Sequence, residues 1–463
     1  MNAHADQLHA NYSVLLYEGK APRRSRSSYR LQLGEHVRIE ADHINRYCFS
    51  DGSALQEDLA AVLSAVRTAD RAGPRLHGKS WARVLSLDIP VFDPQLWQSK
   101  SVSEALADAL QYLTGDRWQL TFRPRKGTPK TPDQVHLLGL PAQERFFMPY
   151  SNGLDSYALA SQIRHRTPTA ELILINVQAS RSLKKWEHLG RTAKQDLKAV
   201  QVAFHFQEPH RSEPTFRSRP LIYDLLAGYG AAMAQPARVV IPENGQGSLG
   251  GSLVPLGDEA PHRSCHPGLT SRLSRLVEAL TGTRVDIEHP ALFMTKGQVL
   301  ADLASRDKNS ALWLAGHRSC SYDARHASRD KRALHCGVCG NCLLRRVATQ
   351  WAQIDDTTSY EANNLAAATF EASFSGAPPR TLAAKRDVAF TSVRAMQRLS
   401  DLAENPNHPR VTTEVATLAR ALGKPVEHIG TNMKHFLQQH RTEWVQFLEA
   451  CGPSSWISSL ARN

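Results

Sequence analysis

At 463 residues the chain exceeds the size at which one hydrophobic core usually stops growing, so two or three domains are expected. Its 41% hydrophobic content is that of a globular protein, and no apolar run approaches the roughly 18 to 20 residues that cross a bilayer, which argues against a membrane span. The excess of Lys and Arg gives a net charge of +12, which favours anionic partners (nucleotides, phosphates, nucleic acid or an acidic protein) without choosing among them. The opening stretch MNAHADQLHANYSVLLYEG has no basic leader followed by an apolar segment, so a cytoplasmic location is expected.

In chain order, YSVLLYE (Tyr12 to Glu18) and HVRIEA (His36 to Ala41) alternate as strands do, and ALQEDLAAVLSAVRTADR (Ala54 to Arg71) has helical periodicity. A strand-like ARVLSLDI, a helix-like SEALADALQYL and a strand-like DRWQLTFRP follow, which predicts an α+β N-terminal domain over 1–124. The basic, Pro-containing stretch RPRKGTPKTPDQ predicts a linker at 125–134. The pattern then changes to short apolar strands alternating with helical segments: RFFMP, ELILINV, the helical LKKWEHLGRTAKQDL, VQVAFHF, the helical LIYDLLAGYGAAMAQ, and ARVVIPE. Such alternation predicts βαβ units in a parallel sheet covered on both faces, in an α/β domain over 135–350. The remainder, 351–463, reads as helical throughout.

Two local patterns carry chemistry. In the first, RFFMP runs into Ser151, Asn152, Gly153, Leu154, Asp155 and Ser156 and then a helix. First-turn amides of a helix favour an anion, glycine lets backbone approach a phosphate, and serine hydroxyls donate to its oxygens. A carboxylate such as Asp155 repels a phosphate unless Mg2+ bridges them or the side chain ties down loop amides, which points to a metal–nucleotide complex. No GK[ST] follows, so the loop is not of the Walker type. In the second pattern, four of the seven cysteines fall together as Cys320, Cys336, Cys339 and Cys342, a soft donor set for zinc or an iron–sulfur cluster. Four thiolates close a zinc tetrahedron and leave no position for water, so a structural Zn2+ is expected within a module at 318–346.

SNGLDS resembles the SGGxDS signature of the PP-loop ATP pyrophosphatases, with Asn152 in place of the first glycine; Asn is among the residues that best tolerate positive φ. Taken with the cysteines and Arg345 three residues after the last of them, the order of motifs resembles QueC, the 7-cyano-7-deazaguanine synthases. Between them, FRSRPLIY places Arg219 on a family arginine, IPENGQ brings Glu243 and Asn244 to a base-binding loop, SCHP places Cys265 and His266 on a family DCRP segment, and MTKGQVL offers Lys296. The long N-terminal domain and helical tail resemble QueC-like proteins of bacterial antiphage gene clusters, the QatC proteins among them.

The resemblance implies a parallel-sheet PP-loop core, of the adenine nucleotide alpha hydrolase-like fold, and an ATP-dependent ligase. Its chemistry is adenylation of the carboxylate of 7-carboxy-7-deazaguanine with release of pyrophosphate, followed by amide formation with an amine, here one on a partner protein from the same defence gene cluster. It implies ATP and Mg2+ as cofactors. The residues implied for the nucleotide are Ser151, Asn152, Gly153, Leu154, Asp155, Ser156, Asn176, Val177 and Arg219, and those for the base are Arg219, Glu243, Asn244, Cys265 and His266. Asp155, Ser156, Lys296 and Cys265 fall at catalytic positions. The other readings are a stand-alone nitrile-forming synthase, a PP-loop enzyme acting on tRNA, which the basic charge would suit, and a degenerate nucleotide-binding scaffold holding nucleic acid or protein.

Overall fold

The computed structural model describes residues 12–20, 27–40, 44, 48, 53–75, 81–129, 143–151, 153–179, 198–206, 213, 215–257, 259–317, 319–322, 328–329, 332–375 and 381–462. Asn152, the helical reading of 183–197 and the linker residues 130–134 lie outside the described residues. The protein is a mixed α/β molecule with parallel sheets. It divides into two compact units, one built from 1–151, 167–241 and 258–288, the other from 152–166, 242–257 and 289–463.

The strands of the first unit are, in chain order, β1 (Tyr12–Tyr17), β2 (Tyr29–Gln32), β3 (Val37–Glu40), β4 (Val84–Val91), β5 (Arg117–Pro124), β6 (Arg145–Pro149), β7 (Glu171–Ala179), β8 (Lys198–Phe206), β9 (Ala237–Val240) and β10 (Ile287–Glu288). They form a four-stranded sheet ordered β2-β1-β4-β5 and a six-stranded sheet ordered β10-β9-β6-β7-β8-β3. All pairs of the smaller sheet are parallel, so the N-terminal stretch is α/β where the sequence suggested α+β. The helix Lys100–Thr114 lies between β4 and β5 in the chain, and a parallel pair needs such a crossover where an antiparallel pair needs only a hairpin. β3, from the same stretch, pairs antiparallel with β8 at the edge of the larger sheet, so 1–124 does not close on itself. One apolar core, from Val14 and Leu16 through Phe147 and Ile173 to Leu273 and Leu276, serves both sheets.

In the larger sheet the chain order reverses at β6: β7 and β8 continue on one side, β9 and β10 on the other. All five of these strands run parallel, and all five residues of β6 are buried, as expected for a central strand covered on both faces. A reversal of this kind places ligands beyond the carboxyl ends of the strands that flank it. The residues that follow β6 and β9 in sequence are Tyr150 onward and Ile241 onward, the two stretches singled out above.

The second unit is mainly helical, with one two-stranded antiparallel sheet of Ser328–Arg329 and Arg332–Ala333 among its described residues. It contains the helix Leu154–Arg166 (the loop helix), the short helix Gly245–Leu253, the helix Lys296–Arg306 (the lysine helix), Gly340–Trp351 after the cysteines, and the tail helices Leu382–Asp401, Pro409–Leu422, Val426–Cys451 and Trp456–Arg462. One apolar cluster joins Leu154, Ala158 and Leu159 of the loop helix to Val299, Leu300 and Leu303 of the lysine helix. A second joins Cys336, Cys339 and Cys342 to Trp444 and Trp456 of the tail, so the tail and the cysteine module share a core. Among the described residues, no helix is long and apolar enough to cross a membrane.

Candidate active site

Four expected residues meet within the second unit: Asp155, Glu243, Asn244 and Lys296. Asp155 stands in the first turn of the loop helix, whose first closing bond runs from the Tyr157 amide to the Gly153 carbonyl at 3.1 Å. The Lys296 ammonium donates to Asp155 Oδ2, with Lys296 itself 4% exposed. Asn244 Nδ2 donates to Asp155 Oδ1 at 2.9 Å and to Glu243 Oε1 at 3.0 Å, bridging the two carboxylates. Its Oδ1 accepts from the Gly247 amide at 3.1 Å and so caps the helix Gly245–Leu253. Both ends of the Asn244 side chain are thereby committed, which fixes where the carboxylates stand. Gly247 leaves room for Glu243: a Cβ there would lie 2.2 Å from Glu243 Oε1.

Charge at this cluster is unevenly matched. Burial, and then the neighbouring Asp155 carboxylate, push the Glu243 carboxyl up to about 8, with Lys296 and the Asn244 amide pulling the other way. Near neutrality Glu243 therefore carries a proton much of the time and can donate as well as accept. Asp155 and Glu243 are hard oxygen donors of the kind Mg2+ takes, and Lys296 is a cation suited to a phosphate oxygen. Added positive charge beside the carboxylates would relieve the repulsion that lifts Glu243.

The remaining loop residues divide by burial. Ser151 is exposed and Gly153 half-buried, Ser156 is 4% exposed, and the Leu154 side chain is spent in the apolar cluster with Ala158 and Leu300. Asn176, Val177, Arg219, Cys265 and His266 belong to the first unit. Asn176 Nδ2 donates to the Tyr150 carbonyl at 2.7 Å, and its buried Oδ1 has no partner among the described residues. Tyr223 joins two of the others: its hydroxyl donates to the Val177 carbonyl at 2.8 Å, and the exposed Arg219 guanidinium lies over its ring, 5.7 Å from the centroid. His266 is fully buried and caps the helix Pro267–Thr281, its Nδ1 accepting from the Gly268 amide at 2.8 Å and lying 2.9 Å from the Tyr112 hydroxyl. Cys265 is half-buried against the apolar core.

The four cysteines converge. The sulfurs of Cys320, Cys336, Cys339 and Cys342 all lie within 4.8 Å of one another, and those of Cys336 and Cys342 are 3.9 Å apart. Zinc bonded to four sulfurs at about 2.3 Å spaces them about 3.8 Å apart, so the set fits a tetrahedral ion. Backbone amides support the sulfurs: Cys336 donates to Cys320 at 3.3 Å, Cys339 to Cys336 at 3.3 Å and Ser321 to Cys339 at 3.5 Å. Next to them the buried Arg345 donates to the carbonyls of His317 at 2.8 Å and Leu314 at 2.7 Å, tying the segment that leads into Cys320.

Several neighbours of Lys296 are not among the expected residues. Thr295 and Gln298 form a reciprocal capping box at the start of the lysine helix, a T-x-x-Q signature that the sequence does display. Gln246 Oε1 accepts from the Lys296 backbone amide at 2.8 Å. Glu443 and His440, from the tail, have no local signature, because a lone Glu and a lone His on an amphipathic helix read as surface residues.

No family model matches this chain. It is similar to curated proteins named 7-cyano-7-deazaguanine synthase. Those of Brucella canis and Brucella suis are 33% identical over 140 residues, which is 30% of this chain and 50% of theirs. That of Chelativorans sp. is 26% identical over 240 residues, 46% of this chain and 93% of that protein. The chain thus spans about half the length of the Brucella proteins it matches. Over these stretches it is a distant relative of QueC-like proteins.

Proposed function

We propose that this chain uses ATP and Mg2+ to activate the carboxylate of a 7-deazaguanine, 7-carboxy-7-deazaguanine, for amide formation. A carboxylate oxygen attacks the α-phosphorus of ATP, pyrophosphate leaves, and an acyl-adenylate forms. An amine nitrogen then attacks the acyl carbon, losing a proton as AMP departs. In this reading the amine is carried by a partner protein of an antiphage system. The similarity to 7-cyano-7-deazaguanine synthases supports the choice of substrate.

The observation that carries the reading is the pairing of Asp155, from a loop that resembles the PP-loop, with Lys296, which lies 141 residues away in the chain. A cation and a metal-binding carboxylate held together before substrate arrives are what pyrophosphate departure requires, since such preorganised charge costs no rearrangement in the transition state. In this reading Asp155 holds Mg2+, which neutralises phosphate charge, and Lys296 meets the phosphates. Glu243 meets the N–H-rich edge of a guanine-like base, which its carboxylate form, favoured once positive charge is added beside it, can engage through two oxygens. The four cysteines hold a structural zinc.

The test is pyrophosphate release by the full chain with ATP and Mg2+, with and without 7-carboxy-7-deazaguanine, and products identified by mass. Release that depends on the deazaguanine, with an amide formed when an amine is supplied, is the expected result. Nitrile formation from ammonia would move the chain to the stand-alone synthases. Nucleotide binding with no release, even when candidate partner proteins are added, would contradict the reading.

A further inference from the structure

We infer that the tail helix Val426–Cys451 is part of the machinery that positions Lys296, through Glu443 and His440. This rests on the reading of Lys296 as the phosphate-facing cation, and it goes beyond that reading by giving the C-terminal helices a share in the site.

The Lys296–Asp155 pair is framed by two helix caps. Asn244, which bonds Asp155, caps the helix Gly245–Leu253, and Thr295 caps the lysine helix, of which Lys296 is the first residue. Gln246 links the caps, accepting at Oε1 from the Lys296 amide at 2.8 Å. The tail grips both. Its His440 Nδ1 lies 3.4 Å from Gln246 Nε2, and its Glu443 accepts from the Thr295 hydroxyl. These two residues are three apart on one helix and so share a face. Each is anchored in turn: His440 Nε2 lies 3.0 Å from the Met396 carbonyl, which as an acceptor places the ring proton on that nitrogen and leaves Nδ1 to accept from Gln246. Gln439 Nε2 donates to Glu443 Oε1 at 2.9 Å.

Glu443 is 2% exposed, and its Oε2 has no partner among the described residues. A buried, under-partnered carboxyl is a poor choice for stability alone. At the start of the lysine helix it has a local use, because its Oε1 accepts from the Thr295 hydroxyl and so turns that hydroxyl's own oxygen to accept the Gln298 amide at 3.1 Å. The neighbouring sequence accommodates it: a Cβ on Gly297 would lie 2.7 Å from the Glu443 carboxyl oxygens, so glycine at the second helical position admits the carboxyl. Glu443 is therefore a positioning residue, acting on Lys296 through Thr295.

The experiment compares Glu443→Ala, Glu443→Gln and wild type as full chains, by two readouts. The first is the rate at which an amine-acylating reagent modifies Lys296, followed by peptide mass spectrometry, which does not depend on any reading of the reaction. The second is the kcat and KM of pyrophosphate release. Glu443→Ala is expected to speed Lys296 modification about fivefold, the factor that loss of one helix cap gives, and to lower kcat about 10- to 100-fold with little change in KM for the deazaguanine. Glu443→Gln keeps an oxygen for Thr295 and is expected to restore most of both. If Glu443→Ala does not fold, Thr295→Val replaces it, with Thr295→Ser as the conservative partner. Unchanged Lys296 modification in a folded variant overturns the proposal. Wild type that protects Lys296 but releases no pyrophosphate would instead sink the proposed reaction while leaving the positioning role intact.

Discussion

Two groups of buried charge in this molecule are built in opposite ways. In the first unit, Asp116 takes both ends of the Arg75 guanidinium, at 2.8 and 2.7 Å, and also the Arg83 amide, Nε and Nη2 at 2.9, 3.2 and 2.7 Å. Asp70 takes Arg83 Nη2 at 2.8 Å with one oxygen and the Ser218 amide at 2.8 Å with the other. Two cations face two anions, and each carboxylate oxygen has a partner. In the second unit, Asp155 and Glu243 share one lysine and one asparagine, burial and the Asp155 carboxylate push the Glu243 carboxyl up to about 8, and Glu443 Oε2 has no partner among the described residues. Matched buried charge specifies structure, whereas buried charge left short of partners marks a place where a ligand is expected to complete the set.

The comparison can be broken most severely at the cysteines, which belong to the core of the second unit. Cys336→Ser or Cys342→Ser is expected to abolish zinc retention and unfold the cysteine module with the tail helices that share its core, an effect on the order of 10 kcal/mol. Elemental analysis and limited proteolysis would read it. Next in size is Asp116→Ala, which takes from the buried Arg75 guanidinium both of its carboxylate hydrogen bonds and leaves Asp70 as the carboxylate for two arginines; it should cost about 3–5 kcal/mol, seen as a lower midpoint in urea.

Smaller and pH-dependent is the contribution of the tail. Burial raises the Glu443 carboxyl from 4.5 to about 7, against hydrogen bonds from Gln439 and Thr295. Its contribution to stability is complete below 4.5 and is lost as pH rises through 7. Burial lowers His440 from 6.5 to about 4, against its bond to the Met396 carbonyl, so its contribution is present above 6.5 and is lost as pH falls through 4. Thermal unfolding across this range should show Glu443→Gln flattening the fall in Tm on the alkaline side and leaving the acid side unchanged.

Much of the scaffold was legible because its signals are local. RFFMP announces a buried strand, and the helix after Gly153 starts where the turn residues end. The cysteine spacing announced a metal site, and the sulfurs do converge. The parallel pairing in the N-terminal stretch was not legible, since alternation along a strand says nothing about the direction of its neighbour. Nor was the departure of β3 to the other sheet, which depends on pairing with residues more than 160 positions away. At the candidate site, Asp155 and Lys296 were each visible through a resemblance to known motifs. Gln246, His440 and Glu443 were not, because their roles come only from the packing of three helices.

The most direct test sets Asp155→Asn beside Asp116→Asn. Each replaces one oxygen of a carboxylate with an amide, one in the under-partnered cluster and one in the matched cluster, and each variant is measured for urea stability and deazaguanine-dependent pyrophosphate release. Asp155→Asn should lose less stability than Asp116→Asn, because Glu243 can ionise beside Lys296 once the Asp155 charge is gone, and should lose release about 100- to 1,000-fold, while Asp116→Asn should lose more stability and, where still folded, keep its release. Full release by a folded Asp155→Asn protein would contradict the assignment of this site.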